Sequence, residues 1–533
     1  VDEVFYADEG DYAIRVRGAQ DYNHRGWDWQ ATHDGGGKSL ERINPALTGA
    51  CGQNWAASIP TNGTPGNVNS TFAANIAPLI REVAHYPLVP RSTEPVTITA
   101  QLTDEQTNGL SATLFWRNTS ATTPAAFTAT AMFDDGAHGD GLAGDRLFGA
   151  VLPAHTNGAV IEFYVSAADA QSLTRTWPAP ARETNGTPIQ ACNALYQVDD
   201  SETDTTRPSY RLVMTRAEYD ELYSIPNEGD PENRSHAAFN GTFVAFDGVG
   251  AEVRYNCSFR NRGEGSRSAQ PPDYRVNVPS DRRWKGVVAL NLNSQYTHNQ
   301  VVGATIASQA GLVTEQHRRV QLRVNANERA NSGSPQFGSY VHQEAIDADF
   351  AANHWPTDDG GNLYRGASPG HDADLSYLGT NYFLYLTNGY SKSSNLSEDD
   401  WTDLFQLTDV LSNVPDSNYW SAVQQVINVD EWVRYFAVFS LIGSEETSLG
   451  TGYGDDYTLY RGLADTRFNL VGHDWDTILN QAATGNPTAS IFRATSVSTV
   501  NRFLKHPEIA PRYYGELLHQ LSNAFAPPEI SRT

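Results

Sequence analysis

An acidic segment that ends in proline, Asp199–Pro208, separates two different sequence patterns and constrains the fold more than any other feature. Before it, short runs of alternating apolar and polar residues, such as Val160–Val165, are typical of β-strands. After it, strand-like runs are interleaved with apolar runs at helical spacing, such as Val429–Leu441. Since 533 residues suffice for about three to four domains, the sequence predicts a multidomain protein with all-β modules first and an α+β domain last.

The composition is that of a folded protein that neither binds nucleic acid nor spans a membrane. Apolar residues make up 39% and aromatic residues 11% of the chain, too much for a disordered protein. A net charge of −25 is unfavourable for contact with phosphate backbones, and we find no run of about 18 apolar residues. Many short strands and scarce lysine favour an exported bacterial protein, located outside the cell, at its surface or in the periplasm. The strand-like start, Val1–Tyr6, suggests that the chain begins inside a domain.

Two strand-like runs near the C-terminus, Tyr457–Tyr460 and Arg467–Val471, predict a hairpin. This hairpin would bring Asp456, just before its first strand, close to Asp474 and Asp476, just after its second. Carboxylates gathered at one end of a sheet suit Mg²⁺ or Ca²⁺, which prefer oxygen ligands. A Mg²⁺ held there would bridge nucleotide phosphates. The alternative is that these are ordinary carboxylates of turns and helix caps.

A second acidic cluster lies in a glycine-rich loop of the β-rich region. Asp135, Asp140 and Asp145 are spaced by five residues, with glycines between them. Carboxylate and backbone oxygens in such a loop predict a Ca²⁺ site, although the spacing is not that of an EF-hand. An equally good interpretation is an aspartate-rich loop held by its own hydrogen bonds.

The N-terminal modules resemble domains of known families. The segment His33–Ser70, with its runs GKSLERINP, GQNWAAS and GTPGNVN, resembles the later strands of a bacterial lamin-tail domain, an immunoglobulin-like sandwich. We therefore expect a partial lamin-tail domain at residues 1–70. Residues 80–198 resemble an immunoglobulin- or fibronectin-type module. The lamin-tail resemblance implies a role in adhesion or substrate attachment. The two modules together look like adhesion modules, which would contact a cell-surface or matrix component.

Tryptophans are frequent in these modules, and they suggest a further hypothesis. A carbohydrate-binding platform is one interpretation, but tryptophan in a β-sandwich is more often part of the core or rim. The residues concerned are Trp27, Trp29, Trp55 and Trp116.

Five segments after Pro208 resemble, in order, the landmarks of the spore-coat-protein-H (CotH) kinase family, a remote branch of the protein-kinase-like fold. They match its R-x-RG-x-x-S segment, the strand after it, its G-x-Y-x-x-x-E, its GNLYK and its metal-binding end. The segments are Phe259–Ser266, Tyr274–Val276, Gly338–Glu344, Gly361–Arg365 and Leu441–Leu479. The resemblance implies a kinase-like domain at residues 208–533 that transfers a nucleotide γ-phosphate from ATP to protein Ser or Thr with Mg²⁺ or Mn²⁺.

The resemblance also assigns roles to individual residues. Asp474 and Asp476 take the metal-binding positions, and Asp456 falls where the family has a metal-ligating Asn. Glu446 falls where the family has its catalytic Asp. Glu344 matches the helix glutamate that orients a phosphate-binding lysine.

That lysine is missing here, and its absence leaves two hypotheses. Arg262, Arg267 or Arg275 would contact the phosphates in its place, because guanidinium groups pair well with phosphate. An arginine from this region is then expected beside Glu344. Alternatively, the chain keeps the kinase-like fold without its chemistry and serves as a surface or matrix scaffold with Ca²⁺-stabilised β-modules.

Overall fold

The structure is a computed structural model that describes residues 6–201, 207–229, 232–263, 265–366, 373–444, 449, 456–479, 490–492 and 497–526. Contacts divide the chain into two compact units. The first unit comprises residues 1–292 and 320–330, and the second comprises residues 293–319 and 331–533. β-Sheets make up most of the N-terminal part and the C-terminal part is mixed α/β, as predicted. The immunoglobulin-like and kinase-like folds and the predicted domain limits stay predictions.

Strands are the main elements up to residue 293, and helices are frequent after it. The strands are β1 (Ile14–Arg17), β2 (Trp27–Gln30), β3 (Leu40–Arg42), β4 (Trp55–Ala57), β5 (Leu79–Tyr86), β6 (Val96–Thr103), β7 (Ser111–Asn118), β8 (Thr128–Met132), β9 (Leu147–Leu152), β10 (Val160–Ala168), β11 (Thr174–Trp177), β12 (Ala181–Arg182), β13 (Pro188–Ile189), β14 (Ala194–Gln197), β15 (Ser209–Val213), β16 (Phe239–Phe246), β17 (Ala251–Arg262), β18 (Asp273–Asn277), β19 (Ala289–Asn293), β20 (His317–Val324), β21 (Asn327–Glu328), β22 (Tyr340–Glu344), β23 (Asn362–Gly366), β24 (Tyr390–Lys392), β25 (Tyr457–Arg461) and β26 (Asn469–Gly472). The described α-helices are α1 (Arg216–Ser224), α2 (Thr297–Gln309), α3 (Ala348–His354), α4 (Tyr382–Thr387), α5 (Thr402–Asn413), α6 (Asp416–Val426), α7 (Val429–Ile442), α8 (Ser498–Lys505) and α9 (Ala510–Ser522).

Two antiparallel sheets of the first unit share one hydrophobic core. One sheet has the order β5-β6-β9, and the other has the order β11-β10-β7-β8, with β14 also paired to β10. Strict alternation along β6 buries Val96 and Ile98, and Leu114 and Phe163 of the other sheet belong to the same core. Alternating strands therefore bury one face each and form a two-layered β-structure.

A small sheet joins the two segments that the sequence suggested as separate modules. β1 and β2 form an antiparallel ribbon, and Val16 of β1 also pairs in parallel with Arg182 of β12. A ribbon of two four-residue strands is marginal by itself, because it has few cross-strand contacts. The addition of β12 and β13 from residues 181–189 makes a four-stranded sheet.

The start of the predicted acidic linker is ordered. The carboxylate of Asp199 is only 5% exposed and accepts hydrogen bonds from Arg211 and, at 2.9 Å, from Arg323. Asp200 accepts the backbone N–H of Ser92 at 2.6 Å. The linker residues 202–206 lie outside the described residues. Asp199 therefore belongs to a buried ion pair, although acidic segments that end in proline are typical of exposed linkers.

In the second unit, helices pack against a four-stranded antiparallel sheet with the order β24-β23-β25-β26. The predicted hairpin is present as β25 and β26, with Tyr457 opposite Gly472 and Leu459 opposite Leu470. Helix α7 is apolar on most of its surface, and its Trp432 is 1% exposed in the core. This core fixes the strand ends that carry the predicted site.

One predicted helix has a different structure. The spacing of apolar residues over Gln343–His354 predicts a helix. This prediction is wrong for its first residues, because Tyr340–Glu344 form strand β22 with an alternating burial pattern. The helix begins only at Ala348, since the side chain of Asp347 accepts the N–H groups of Asp349 and Phe350 as an N-cap. Glu344 therefore lies at the end of a strand and not on a helix.

None of the described helices has the length and apolar character needed to cross a membrane. The three cysteines, Cys51, Cys192 and Cys257, are buried free thiols.

Candidate functional site

Two of the predicted metal-binding aspartates flank the β25–β26 hairpin and share an unusual backbone conformation. Asp456, before β25, has φ of +56°, and Asp474, after β26, has φ of +54°. Positive φ is uncommon outside glycine, although aspartate tolerates it better than most residues. Such conformations persist where the surrounding structure imposes them, and they cluster at functional sites.

Helix α2 holds Asp474 through a single buried amide. The Nε2 of Gln300 donates to Oδ1 of Asp474 at 2.7 Å, and its Oε1 accepts the backbone N–H of Trp475 at 2.9 Å. The side chain of Gln300 is fully buried. Because the backbone N–H needs an acceptor, the orientation of the amide is determined, and Asp474 receives a donor. Asp474 is thus held in one position.

The next residue of α2 toward its N-terminus holds the segment after Asp474. The Nδ2 of Asn299 donates to the carbonyl oxygens of Asp476, at 2.9 Å, and of Ile478, at 3.2 Å. Consecutive amides of one helix turn therefore fix residues 474–478. This arrangement presents the half-buried side chains of Asp474 and Asp476 from a rigid support.

A buried carboxyl group, Glu315, lies on the other side of Gln300. The Nε2 of Gln343 makes longer contacts of 3.4 Å with Oε1 of Gln300 and 3.5 Å with Oε1 of Glu315. Burial raises the pKa of Glu315 to about 8, and the negative charges of Asp474 and Glu344 act in the same direction, against smaller opposing hydrogen bonds. Glu315 is therefore protonated at neutral pH.

The hydrogen bonds of Thr314 agree with a protonated Glu315. Its Oγ1 lies 2.9 Å from the carbonyl oxygen of Gly472, which only accepts, so the hydroxyl proton is donated there. The same Oγ1 accepts from Nε1 of Trp475 at 3.2 Å. Its remaining contact, 3.1 Å to Oε2 of Glu315, is satisfied when the carboxyl group donates its proton.

We expect Glu315→Gln to remove part of the pH dependence of stability. Between the ordinary pKa of 4.5 and the folded pKa of about 8, the folded state keeps a proton that the unfolded state loses. The free energy of unfolding of the wild type should therefore fall with rising pH in this window, by at most about 1.4 kcal/mol per pH unit for this group. Like the protonated acid, glutamine offers an acceptor to Gln343 and a donor to Thr314, but it does not titrate.

Urea unfolding of both proteins at pH 5 and pH 8 measures this effect. Burial also raises the pKa of Glu431 to about 8. Glu431 contributes equally to the pH slope of stability in both proteins, so the difference between the wild-type and variant slopes reports Glu315 alone. Equal pH slopes for the wild type and the variant would show that Glu315 is ionised in the folded protein.

Glu344 lies near this network but pairs with a histidine. Its carboxylate accepts the N–H of Gln316 at 3.0 Å, Nδ2 of Asn353 at 2.9 Å and Nε2 of His354 at 2.9 Å. Burial opposes ionisation, but these hydrogen bonds outweigh it and the pKa of Glu344 is lowered. Among the described residues of the second unit, His354 is the basic side chain that contacts Glu344, where the sequence predicted an arginine from residues 260–275.

Asp456 also has a cationic partner, which the sequence did not reveal. Nη2 of Arg365 lies 3.4 Å from Oδ1 of Asp456, and Nδ1 of His473 lies 4.0 Å from the same oxygen. Arg365 stands where the GNLYK segment of the CotH-like pattern has its lysine. A cation is thus present beside the predicted metal-binding position Asp456.

A cavity of 520 Å³ lies alongside the network, between α2 and residues 312–317. Its walls include Glu315, His317 and His354. Burial lowers the pKa of His317 to about 4, so that its ring is neutral at pH 7. Glu315 is protonated as well, so neither Glu315 nor His317 adds a charge to the wall of the cavity.

The donor chemistry fits Mg²⁺, but no complete cation site is assembled among the described residues. Asp474 and Asp476 offer the hard oxygen ligands that Mg²⁺ prefers. No group of three or more His, Cys, Asp or Glu side chains is arranged to hold a metal within the described ranges. The predicted catalytic Glu446 lies outside those ranges, as do Glu445 and Asp455. The metal-binding roles of Asp456, Asp474 and Asp476 stay predictions.

The three arginines predicted to contact phosphate belong to the first unit, where they have structural partners. Arg267 is buried and donates to the carbonyl oxygen of Gly263 at 2.9 Å and to that of Ser235 at 2.8 Å. Arg275 donates to the side chain of Asn277 at 3.0 Å. Arg262 ends β17. A role of these arginines in phosphate binding stays a prediction.

The aspartate-rich loop of the first unit is held by its own hydrogen bonds. Asp140 accepts the N–H groups of Asp135, Gly136 and His138 at 2.6–2.8 Å, and Asp145 accepts those of Leu142 and Leu147. This is the second of the two interpretations of its sequence. Binding of Ca²⁺ by Asp135, Asp140 and Asp145 stays a prediction.

Sequence reasoning missed the residues that hold Asp474. Gln300, Gln343 and Glu315 belong to three separate segments, and no motif connects them. The available signal was weaker: Asn299-Gln300 are adjacent amides at the start of a helix, and Gln343 is polar at an inward position of an alternating strand. Buried amides of this kind indicate a specific partner.

Comparison with known proteins identifies one family. The model of the family described as CotH kinase protein matches residues 259–533, just over half of the chain. The match confirms the resemblance found in the sequence of the C-terminal part. A search of curated proteins found no match to the chain.

Proposed function

The chain belongs to the CotH kinase protein family, and we propose that it is an exported phosphotransferase that moves the γ-phosphate of a nucleotide to a Ser or Thr hydroxyl of an acceptor protein. One observation carries this proposal beyond family membership. Asp474, at the position expected to bind metal, is held by the buried amide of Gln300 at 2.7 Å. Phosphoryl transfer depends mainly on positioning and electrostatics, so a rigidly supported aspartate is the feature that this reaction requires.

In the proposed reaction, the acceptor hydroxyl oxygen forms a bond to the γ-phosphorus of ATP. The bond from that phosphorus to the β–γ bridging oxygen breaks, and ADP leaves with the electron pair. The hydroxyl proton passes to a carboxylate, for which Glu446 is the candidate by its position in the family pattern. Asp474 and Asp476 would hold Mg²⁺, which when bound offsets the charge of the phosphate oxygens.

Two observations favour a second candidate function, that of a scaffold without transfer chemistry. Glu344 pairs with His354, and Asp456 pairs with Arg365, so two carboxylates expected to serve the nucleotide site already have partners in the second unit. A scaffold of this kind would bind a cell-surface or matrix component through its β-modules. Nucleotide binding distinguishes the two functions.

We expect the wild type to bind ATP in the presence of Mg²⁺ or Mn²⁺, and Asp474→Asn to weaken this binding by at least about tenfold. The asparagine keeps the size of the side chain and an acceptor for Gln300, so that the loss reports the missing charge. Isothermal titration calorimetry measures the affinity. Asp465→Asn, in the turn of the same hairpin, is the matched control, because its exposed carboxylate pairs with the exposed Arg467.

Equal affinities of wild type and Asp474→Asn would remove Asp474 from the nucleotide site. No heat of binding for the wild type with either metal would exclude the kinase and leave the scaffold.

A further inference from the structure

The first unit contains a cavity of 490 Å³ whose walls combine tryptophans with arginines. It is lined by Trp29 of β2 and Trp55 of β4, and by Arg15, Arg175 and Arg182. We call it the Trp29–Arg182 cavity. Its volume lies within the range of about 300–1,000 Å³ that is typical of small-molecule sites.

The aromatic part of the cavity is held in place by polar contacts. Nε1 of Trp55 donates to the carbonyl oxygen of Gly49 at 2.9 Å, and the guanidinium of Arg15 stacks over the ring of Trp29 at 4.2 Å. Both tryptophans are half-buried and so keep apolar surface accessible. Oriented rings of this kind suit a ligand with a flat apolar face, such as a sugar ring.

The arginines of the cavity have unused hydrogen-bonding capacity. The side chain of Arg182 is exposed and makes no hydrogen bond or ion pair within the described ranges. Arg175 donates Nη1 to the carbonyl oxygen of Gln53, but its buried Nε has no acceptor there. Arg15 is 3% exposed; its Nη1 and Nη2 donate to the carbonyl oxygens of Trp27 and Asn256, and its Nε has no acceptor in that part of the chain. A buried donor without a partner is costly, so an acceptor supplied by a ligand would be favourable.

The balance of charge in the cavity is opposite to that of the whole chain. Three arginines face one carboxylate, Asp11, among the residues that line it. Asp11 already accepts from Nε2 of Gln53 at 3.2 Å and from Arg282 at 3.3 Å. Because the chain carries a net charge of −25, its overall field repels anions, and a bound anion would depend on these local guanidinium groups.

We infer that the Trp29–Arg182 cavity binds an acidic saccharide, in which a sugar ring packs on the tryptophans and a carboxylate pairs with Arg182 and Arg175. Guanidinium groups recognise carboxylates with two parallel hydrogen bonds. The Oδ1 of Asn256, at the wall, is buried without a donor among the described residues and is a suitable acceptor for a sugar hydroxyl. This binding site is independent of the nucleotide chemistry proposed for the second unit.

Calorimetric titration of the full chain with oligogalacturonate, oligomannuronate and hyaluronan fragments tests the inference. We expect at least one of these probes to bind. Its fully methyl-esterified form, which has the same rings without the charge, should bind at least about tenfold more weakly. Arg182→Gln should weaken binding of the acid by a similar factor. This variant should fold, because the Arg182 side chain is exposed.

Arg91→Gln is the control, since Arg91 is also an exposed arginine of the first unit but does not line the cavity. It should bind as the wild type does. Absence of binding to all three acids would overturn the inference. So would equal binding of the acid and its ester, or an Arg182→Gln variant with wild-type affinity.

Discussion

Replacement of Trp475 by alanine should lower the free energy of unfolding by about 3–5 kcal/mol, the usual cost of removing a large buried aromatic side chain. Trp475 is fully buried and packs on the ring of Phe439 at 4.9 Å between centroids. A Cβ added at Gly303 would lie 2.6 Å from Trp475, and one at Gly472 would lie 2.7 Å from it. Two glycines thus make room for this ring, and its removal leaves a cavity that the rigid backbone cannot close.

Urea unfolding followed by circular dichroism measures the loss. Trp420→Ala is the control, because Trp420 is only half-buried on α6 and should cost clearly less. The loss for Trp475→Phe should lie between those for Trp475→Ala and Trp420→Ala. Phenylalanine keeps a ring against Phe439 but lacks the hydrogen bond from Nε1 to Thr314. A loss below about 1 kcal/mol for Trp475→Ala would show that the core around it rearranges.

Local patterns of the sequence were sufficient to predict the hairpin that carries Asp456 and Asp474. The alternation in Tyr457–Tyr460 and Arg467–Val471 predicted two strands, and β25 and β26 agree within two residues. The cap of α1 was equally predictable, because Thr215 accepts the N–H of Glu218, three residues later. Such features depend on neighbours in the chain, so the sequence pattern contains them.

The environment of the candidate site depends on residues far apart in the chain, and the sequence did not reveal it. Gln300 is 174 residues from Asp474, and no periodicity relates a glutamine of one helix to an aspartate after a distant strand. The raised pKa of Glu315 has the same origin, because burial appears only once the chain has folded. The family resemblance predicted metal-binding roles for Asp474 and Asp476, but it could not predict which residues hold them in position.

Asp199 shows a second limit of sequence reasoning, because its local pattern does not reveal that its carboxylate is buried. Its segment is rich in aspartate and ends in proline, which is typical of an exposed linker. In the structure the carboxylate pairs with Arg211 of β15 and with Arg323 of β20, two strands that are parallel neighbours in one sheet. The partner arginines are 12 and 124 residues away, so composition alone could not distinguish a buried ion pair from a solvated run of charge.

This burial predicts a large effect for Asp199→Ala, a loss of about 3–5 kcal/mol in the free energy of unfolding, because the buried guanidinium of Arg211 would lose the carboxylate that accepts its hydrogen bond. Burial opposes ionisation of Asp199, but bonds from Ser201 and Arg211 outweigh it and lower its pKa to about 2, from an ordinary value of 3.8. Since the folded pKa is lowered, the stabilisation is fully present above about pH 4 and is lost as the pH falls toward 2.

Urea unfolding at pH 7 compares Asp199→Ala with Asp200→Ala, a neighbouring aspartate whose exposed carboxylate accepts hydrogen bonds from Ser92. The control should cost less than about 1 kcal/mol, as exposed interactions generally do. Equal losses in the two variants would mean that the Asp199 ion pair contributes no more than a surface contact. A much larger loss for Asp199→Ala would establish that Asp199 stabilises the first unit as a buried partner of Arg211 on β15 and Arg323 on β20, because removal of an exposed carboxylate does not cost this much.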